Sequence, residues 1–107
     1  MEEHLQVLTT AGSKEEAERI ARSLLEKRLA GCVQVAGPIS SAYWWKGAIE
    51  TAEEWLCLIK TRRALFAEVE EAIKTAHSYE TPEIVALPIV AGSRPYLDWL
   101  ADTLAPQ

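Results

Sequence analysis

The densest polar chemistry in the chain lies in seven consecutive residues, His77-Ser78-Tyr79-Glu80-Thr81-Pro82-Glu83. Imidazole and carboxylate groups are suitable donors for copper, zinc or nickel. His77 and Glu83 are the pair that spacing offers, with Tyr79 between them. Metal sites usually need three or four donors, so two make a sparse signature. Spacing alone favours a plainer reading: His77 complements a helix C-terminal dipole, and Glu83 is a solvated strand start. Catalytic motifs are scarce, with no GxSxG, HExxH, P-loop or GxGxxG. His77, Tyr79, Glu83 and Lys60 have the residue types for acid–base work, although no spacing rule joins them. The expectation is binding without turnover.

These residues need a scaffold, and the hydrophobic periodicity supplies one. His4 to Thr10 reads as a strand and Ala11-Gly12 as a turn. Ser13-Lys14-Glu15-Glu16 fits a capping box. Ala17, Ile20, Ala21, Leu24 and Leu25 then recur at helical spacing, with Lys27 and Arg28 in the last turn and Gly31 placed to end the helix at C′. Cys32 to Trp45 turns to strand, broken at Gly37-Pro38, which suggests a bulge or an edge position. A tight turn at Lys46-Gly47 returns the chain along Ala48 to Thr61. The run Trp55 to Ile59 is apolar at every position, as in a strand buried on both faces. Thr61 is placed to cap a second helix with the stripe Leu65, Val69, Ala72, Ile73 and Ala76. The polar loop leads to a fourth strand, Glu83 to Val90, and Tyr96 to Leu100 forms a short closing helix.

The order β-α-β-β-α-β with right-handed crossovers predicts an α+β, ferredoxin-like sandwich, with the first and third strands central. Both helices cover one face of the sheet and leave the other bare. Each arm of the long hairpin has about 14 residues, or roughly 45 Å at ~3.3 Å per residue. A 100-residue globule has a radius of gyration of only ~13 Å. Tyr43, Trp44 and Trp45 should therefore project beyond the body, which calls for a neighbouring subunit.

Bulk properties narrow the partners. A length of 107 residues, 49% of them hydrophobic, suits one domain over residues 1–107 with a single core. The net charge of −5 and scattered basic residues argue against nucleic acid. No apolar run approaches the ~20 residues of a membrane span. The acidic start, Met1-Glu2-Glu3-His4, lacks signal-peptide character, so a cytoplasmic location is expected. Centring the hairpin turn on Lys46-Gly47 pairs Cys57 with Ala36 and puts Cys32 too far away to bridge it. Both cysteines are expected to be buried thiols.

Five ordered blocks carry a resemblance over nearly the whole chain. They are Arg28-Leu29-Ala30-Gly31-Cys32-Val33, Tyr43-Trp44-Trp45-Lys46-Gly47, Leu58-Ile59-Lys60-Thr61, His77 through Ile84, and Tyr96-Leu97-Asp98-Trp99. Their order and spacing resemble the CutA family, named for divalent-cation tolerance. The resemblance implies a homotrimer similar in architecture to the PII signalling proteins. It implies binding of divalent metal ions, Cu2+ favoured and Zn2+ second, in metal homeostasis, with no organic cofactor. It also implies a pocket of His77, Tyr79 and Glu83, with Lys60 and Trp45 nearby and Cys32 on the adjacent strand. Some members have a cysteine where this chain has Thr9 and a histidine where it has Ala76, so moderate metal affinity is expected. The alternative within the resemblance is a PII-like trimer that senses a small molecule or serves as a scaffold.

Overall fold

Alternating apolar residues in strands and 3.6-residue stripes in helices meet in one layer of sheet and one of helix. The structure, a computed structural model, describes residues 3–106; Met1 and Glu2 of the acidic start, and Gln107, lie outside it. The elements are β1 (His4–Ala11), α1 (Lys14–Glu26), β2 (Cys32–Trp45), β3 (Ala48–Arg62), a 3-10 turn (Arg63–Leu65), α2 (Phe66–Ala76), β4 (Val85–Pro88) and α3 (Arg94–Thr103). The strand order is β2-β3-β1-β4, antiparallel throughout. This is the ferredoxin-like α+β arrangement, with β1 and β3 central as the crossover rule requires.

Register assigns the two faces. Val7 lies opposite Ile59, and Thr9 opposite Cys57. All four are buried, and Val7, Cys57 and Ile59 share one core cluster with Ala17, Ile20 and Leu24 of α1 and Val69 and Ile73 of α2. The next residues along, Leu8 and Leu58, face the other way. The run Trp55 to Ile59 is thus buried on one face only: Cys57 and Ile59 are enclosed, while Leu56 and Leu58 are not. Two apolar faces were legible in the sequence, but one chain supplies helices for only one of them.

Helix ends differ from the periodicity in instructive ways. The Ser13 hydroxyl accepts from the Glu16 N–H at 3.1 Å, as a capping residue should. The return bond of the box goes one residue further back: Glu16 Oε1 accepts from the Gly12 N–H at 3.4 Å. α1 stops at Glu26, so Lys27 and Arg28 lie beyond its last turn. The C′ position belongs to Arg28, whose φ is 56°, rather than to Gly31. The Arg28 N–H donates to Leu25 O at 3.0 Å and the Leu29 N–H to Leu24 O at 2.9 Å, the paired bonds of a Schellman motif. Arg28 is held in this left-handed conformation from outside: its Nη1 donates to Thr103 O, and its carbonyl accepts from the Ala105 N–H. Gly31 has a packing role, since an added Cβ would lie 2.6 Å from Leu100 Cδ1 of α3.

Thr61 does not cap α2. Its buried hydroxyl donates to Leu29 O at 2.7 Å, and the 3-10 turn begins the helical segment after Arg62. The β2–β3 hairpin turns on Lys46 (φ 51°) and Gly47 (φ 85°), two consecutive left-handed residues that match strand twist. Gly37-Pro38 forms a bulge between Ala36 and Ile39 on the edge strand β2. Cys57 consequently faces Val35, not Ala36. Both cysteines are free thiols; Cys57 is buried, while Cys32 is only half-buried. β4 is limited to Val85–Pro88, which leaves Glu83 in the loop. The closing helix is longer than its apolar core, at Arg94–Thr103. Principal extents of 44 × 25 × 22 Å agree with a projecting hairpin, and Trp44 and Ile49 at its tip are 71% and 64% exposed.

Candidate functional site

The loop after α2 is built from its inner side outward. α2 ends at Ala76, and His77 adopts an extended conformation that stops the helix. Its side chain is fully enclosed. Nε2 lies 2.6 Å from Thr10 O, and Nδ1 accepts from the Tyr79 N–H at 3.1 Å. An Nδ1 that accepts leaves the ring proton on Nε2, which then donates to Thr10 O. Both ring nitrogens are therefore engaged by backbone. Beside the ring, Glu16 Oε2 accepts from the Ser78 N–H at 2.7 Å and lies 3.6 Å from Nδ1. Burial acts to raise the Glu16 pKa. Hydrogen bonds from Ser78 and Gly12, with His77 alongside, outweigh that and hold it below its ordinary value.

Two residues further on, the chain faces outward. The Tyr79 hydroxyl donates to Glu54 Oε2 at 2.9 Å, and its ring leans on the His77 ring with centroids 4.6 Å apart. Burial, then the bond to Glu54 and the nearby negative charge, push the Tyr79 pKa up. Glu54 comes from β3 and is only 6% exposed. Between the hairpin, at Ser41 to Trp45, and the loop, at Tyr79 to Glu83, lies a cleft of about 700 Å³ with Thr10 and Glu54 in its wall. Among the described residues its charged lining is Glu54, Glu80 and Glu83, with no lysine or arginine. Tyr43, Trp44, Trp45 and Tyr79 provide aromatic surface. A cleft of this composition has the chemistry to receive a cation.

Within one chain, the residues expected to share one pocket are separated. Tyr79, Glu83 and Trp45 line the cleft. His77 lies behind it, under the loop. Lys60 and Cys32 face each other across β3 and β2, six residues along β3 from Glu54, or about 20 Å at ~3.3 Å per residue. Lys60 Nζ donates to Gln34 Oε1 at 3.0 Å. Cys32 lies against Tyr96, whose pKa is raised by burial, then by the charge of Cys32 and their hydrogen bond. Among the described residues, no three His, Cys, Asp or Glu side chains converge to hold a metal ion.

Glu16, Glu54 and Glu80 were not singled out by spacing. The capping pattern found Glu16 but only as a local cap. Its contact with Ser78 joins residues 62 positions apart. Glu54 sits in an acidic stretch that reads as a solvated strand, and only the tertiary approach of Tyr79 encloses it.

Comparison with known proteins gives consistent matches. The family described as CutA1 divalent ion tolerance protein matches residues 5–103. The Divalent-cation tolerance protein CutA of Archaeoglobus fulgidus is 50% identical over 101 residues, covering 94% of this chain and 98% of that protein. Protein CutA 1, chloroplastic, of Oryza sativa is 41% identical over 97 residues, and the match spans 91% of this chain but 55% of the rice protein. The solved structure of the divalent cation tolerance protein from Thermus thermophilus superposes with a TM-score of 0.93 at 43% identity, covering 95% of this chain and 99% of that one.

Proposed function

Since this chain belongs to the CutA1 divalent ion tolerance family, we propose that it acts in tolerance of divalent metal ions, binding Cu2+ first and Zn2+ second, as a homotrimer in the cytoplasm. The observation that carries this reading is the cleft, whose charged lining consists of three glutamates. Metal is cargo here, met by Glu83 and its neighbours. His77 serves by holding the loop, because both its nitrogens are already bonded. With no three donors converging among the described residues, affinity within one chain is moderate.

The trimer rests on apolar surface. Trp44 and Ile49 at the hairpin tip and Val85 and Leu87 on edge strand β4 are all exposed. Surface of this kind marks an interface, and β4 offers an unpaired edge. Free thiols at Cys32 and Cys57 suit a reducing compartment, and no helix among the described residues is long and apolar enough to cross a membrane. Binding occurs without turnover; burial, then the charge of Glu16, pushes the Cys57 thiol up to about 11, which suppresses it as a nucleophile.

Isothermal titration with copper(II) and zinc(II) tests the metal. Saturable heat that weakens in Glu83→Gln supports it; no saturable binding to wild type refutes it. Sedimentation equilibrium tests the assembly, and a stable monomer at micromolar concentration contradicts it. The second reading, a PII-like trimer that binds a small molecule, is favoured by the aromatic walls of the same cleft.

A further inference from the structure

We infer that His77 and Glu16 form a proton-operated latch on the loop after α2: a proton taken up at His77 Nδ1 displaces the Tyr79 N–H and releases the chain from Tyr79 to Glu83. The inference stands on the hydrogen bonds behind the cleft and is independent of what the cleft binds.

The partners of the ring fit one charge state. Its side chain is enclosed. Nε2 donates to Thr10 O at 2.6 Å, and Nδ1 accepts from the Tyr79 N–H at 3.1 Å. A neutral imidazole has one donor and one acceptor, and both are used here. An imidazolium has two donors and no acceptor. After protonation the Nδ1–H and the Tyr79 N–H would point at each other, so one of them has to leave.

The surroundings decide which one. Nε2 is anchored on Thr10 of the central strand β1. An acceptor for the new proton stands beside the ring, with Glu16 Oε2 at 3.6 Å from Nδ1. Glu16 is itself held in place by the Gly12 N–H at 3.4 Å and the Ser78 N–H at 2.7 Å. Its pKa lies below its ordinary value, so it stays ionised while the ring charges. The Tyr79 N–H, by contrast, belongs to an exposed bend at residues 79–81 and can turn to water. The ring therefore stays, Ser78 stays on Glu16, and the loop yields at Tyr79.

The other ionisable groups around the ring do not compete for this role. Tyr79 is neutral, its pKa raised by burial and then by its bond to Glu54. Cys57 of β3 is a neutral thiol, pushed up to about 11 by burial and then by Glu16. Glu54 of β3 is linked to the ring through the Tyr79 hydroxyl, which donates to it at 2.9 Å. Lys74 of α2 pairs with Glu70 on the exposed side of that helix. The consequence lies on the far side of the loop. Tyr79, Glu80 and Glu83 line the cleft, so acidification loosens that wall while the core behind it holds.

Nitrogen-15 amide and imidazole spectra of the intact protein, recorded from about pH 8 to about pH 5, test the latch over the span in which histidines ordinarily charge. The Tyr79 amide should move with the same midpoint as the His77 ring. Its solvent exchange, corrected for the intrinsic pH dependence, should rise at least about tenfold across that midpoint, while the Ser78 amide stays protected. His77→Gln keeps an oxygen able to accept from the Tyr79 N–H but takes up no proton, so the Tyr79 transition should vanish. Circular dichroism checks that this variant folds. If it does not, the wild-type midpoints decide alone: coincidence of the His77 ring and the Tyr79 amide supports the latch, and separation overturns it. A His77 ring that charges without moving the Tyr79 amide, or that stays neutral down to about pH 5, overturns it as well. So does a Tyr79 transition that persists in folded His77→Gln.

Discussion

His77 and Tyr79 are two residues apart in one loop, yet they belong to different parts of the molecule. The His77 ring is enclosed, with both nitrogens on backbone atoms and the Glu16 carboxylate 3.6 Å away. Tyr79 opens onto a cleft with Glu54, Glu80 and Glu83. The inner side is a closed set of hydrogen bonds among Thr10, Gly12, Glu16, His77 and Ser78. The outer side is a charged surface with unused acceptors. Strict alternation would put His77 and Tyr79 on one face, and their rings do touch; the chain bends at residues 79–81, and this turns the loop from a support into a surface.

The division is tested most severely by His77→Ala. Loss of the ring leaves a cavity and strips partners from Thr10 O and the Tyr79 N–H, so stability should fall by about 3 kcal/mol. Urea denaturation would measure it; a loss below ~0.5 kcal/mol would place His77 with the outer residues.

Glu16→Gln comes next, at about 2 kcal/mol, because an amide offers donors where Ser78 and Gly12 already donate. This variant also carries a pH signature. The folded pKa of Glu16 is held below its ordinary value of 4.5. Its contribution is therefore full above pH 4.5, fades as pH falls toward the lower folded value, and is gone beneath it. Wild type should lose stability across that acid window more steeply than Glu16→Gln; parallel curves would contradict the assignment.

Tyr79→Phe should have a smaller effect, about 1 kcal/mol, since it removes a single hydrogen bond from Glu54 and leaves the ring on His77. Thermal melts would register it. Glu83→Gln should have the least effect on stability, within ~0.5 kcal/mol, while weakening cation binding. A variant that changed stability more than binding would move Glu83 to the inner side.

Much of this was legible in advance. Alternation in β1 and β3 and the stripe in α2 determined the sheet order and the core, because both follow from burying one face. The Lys46-Gly47 turn and the Gly37-Pro38 bulge were written in residue type. The end of α1 was not, since the contacts that hold Arg28 left-handed come from Thr103 and Ala105, far along the chain. Thr61 looked like a cap because its neighbours are helical, but a partner at Leu29 claimed its hydroxyl. In the site, Tyr79, Glu83 and Trp45 were identified and do meet. His77 was identified too, and the structure places its ring behind the cleft with both nitrogens on backbone atoms; a sequence does not say which side of a loop is covered.

Nitrogen-15 spectra of the imidazole groups during a zinc(II) titration test the division most directly. There are only two histidines, His4 and His77, so assignment is simple. The structure predicts that His77 stays protonated on Nε2 and keeps its shifts unchanged while zinc saturates the cleft. A metal-induced shift at either His77 nitrogen, with loss of the Nε2 proton, would contradict it and make His77 a ligand.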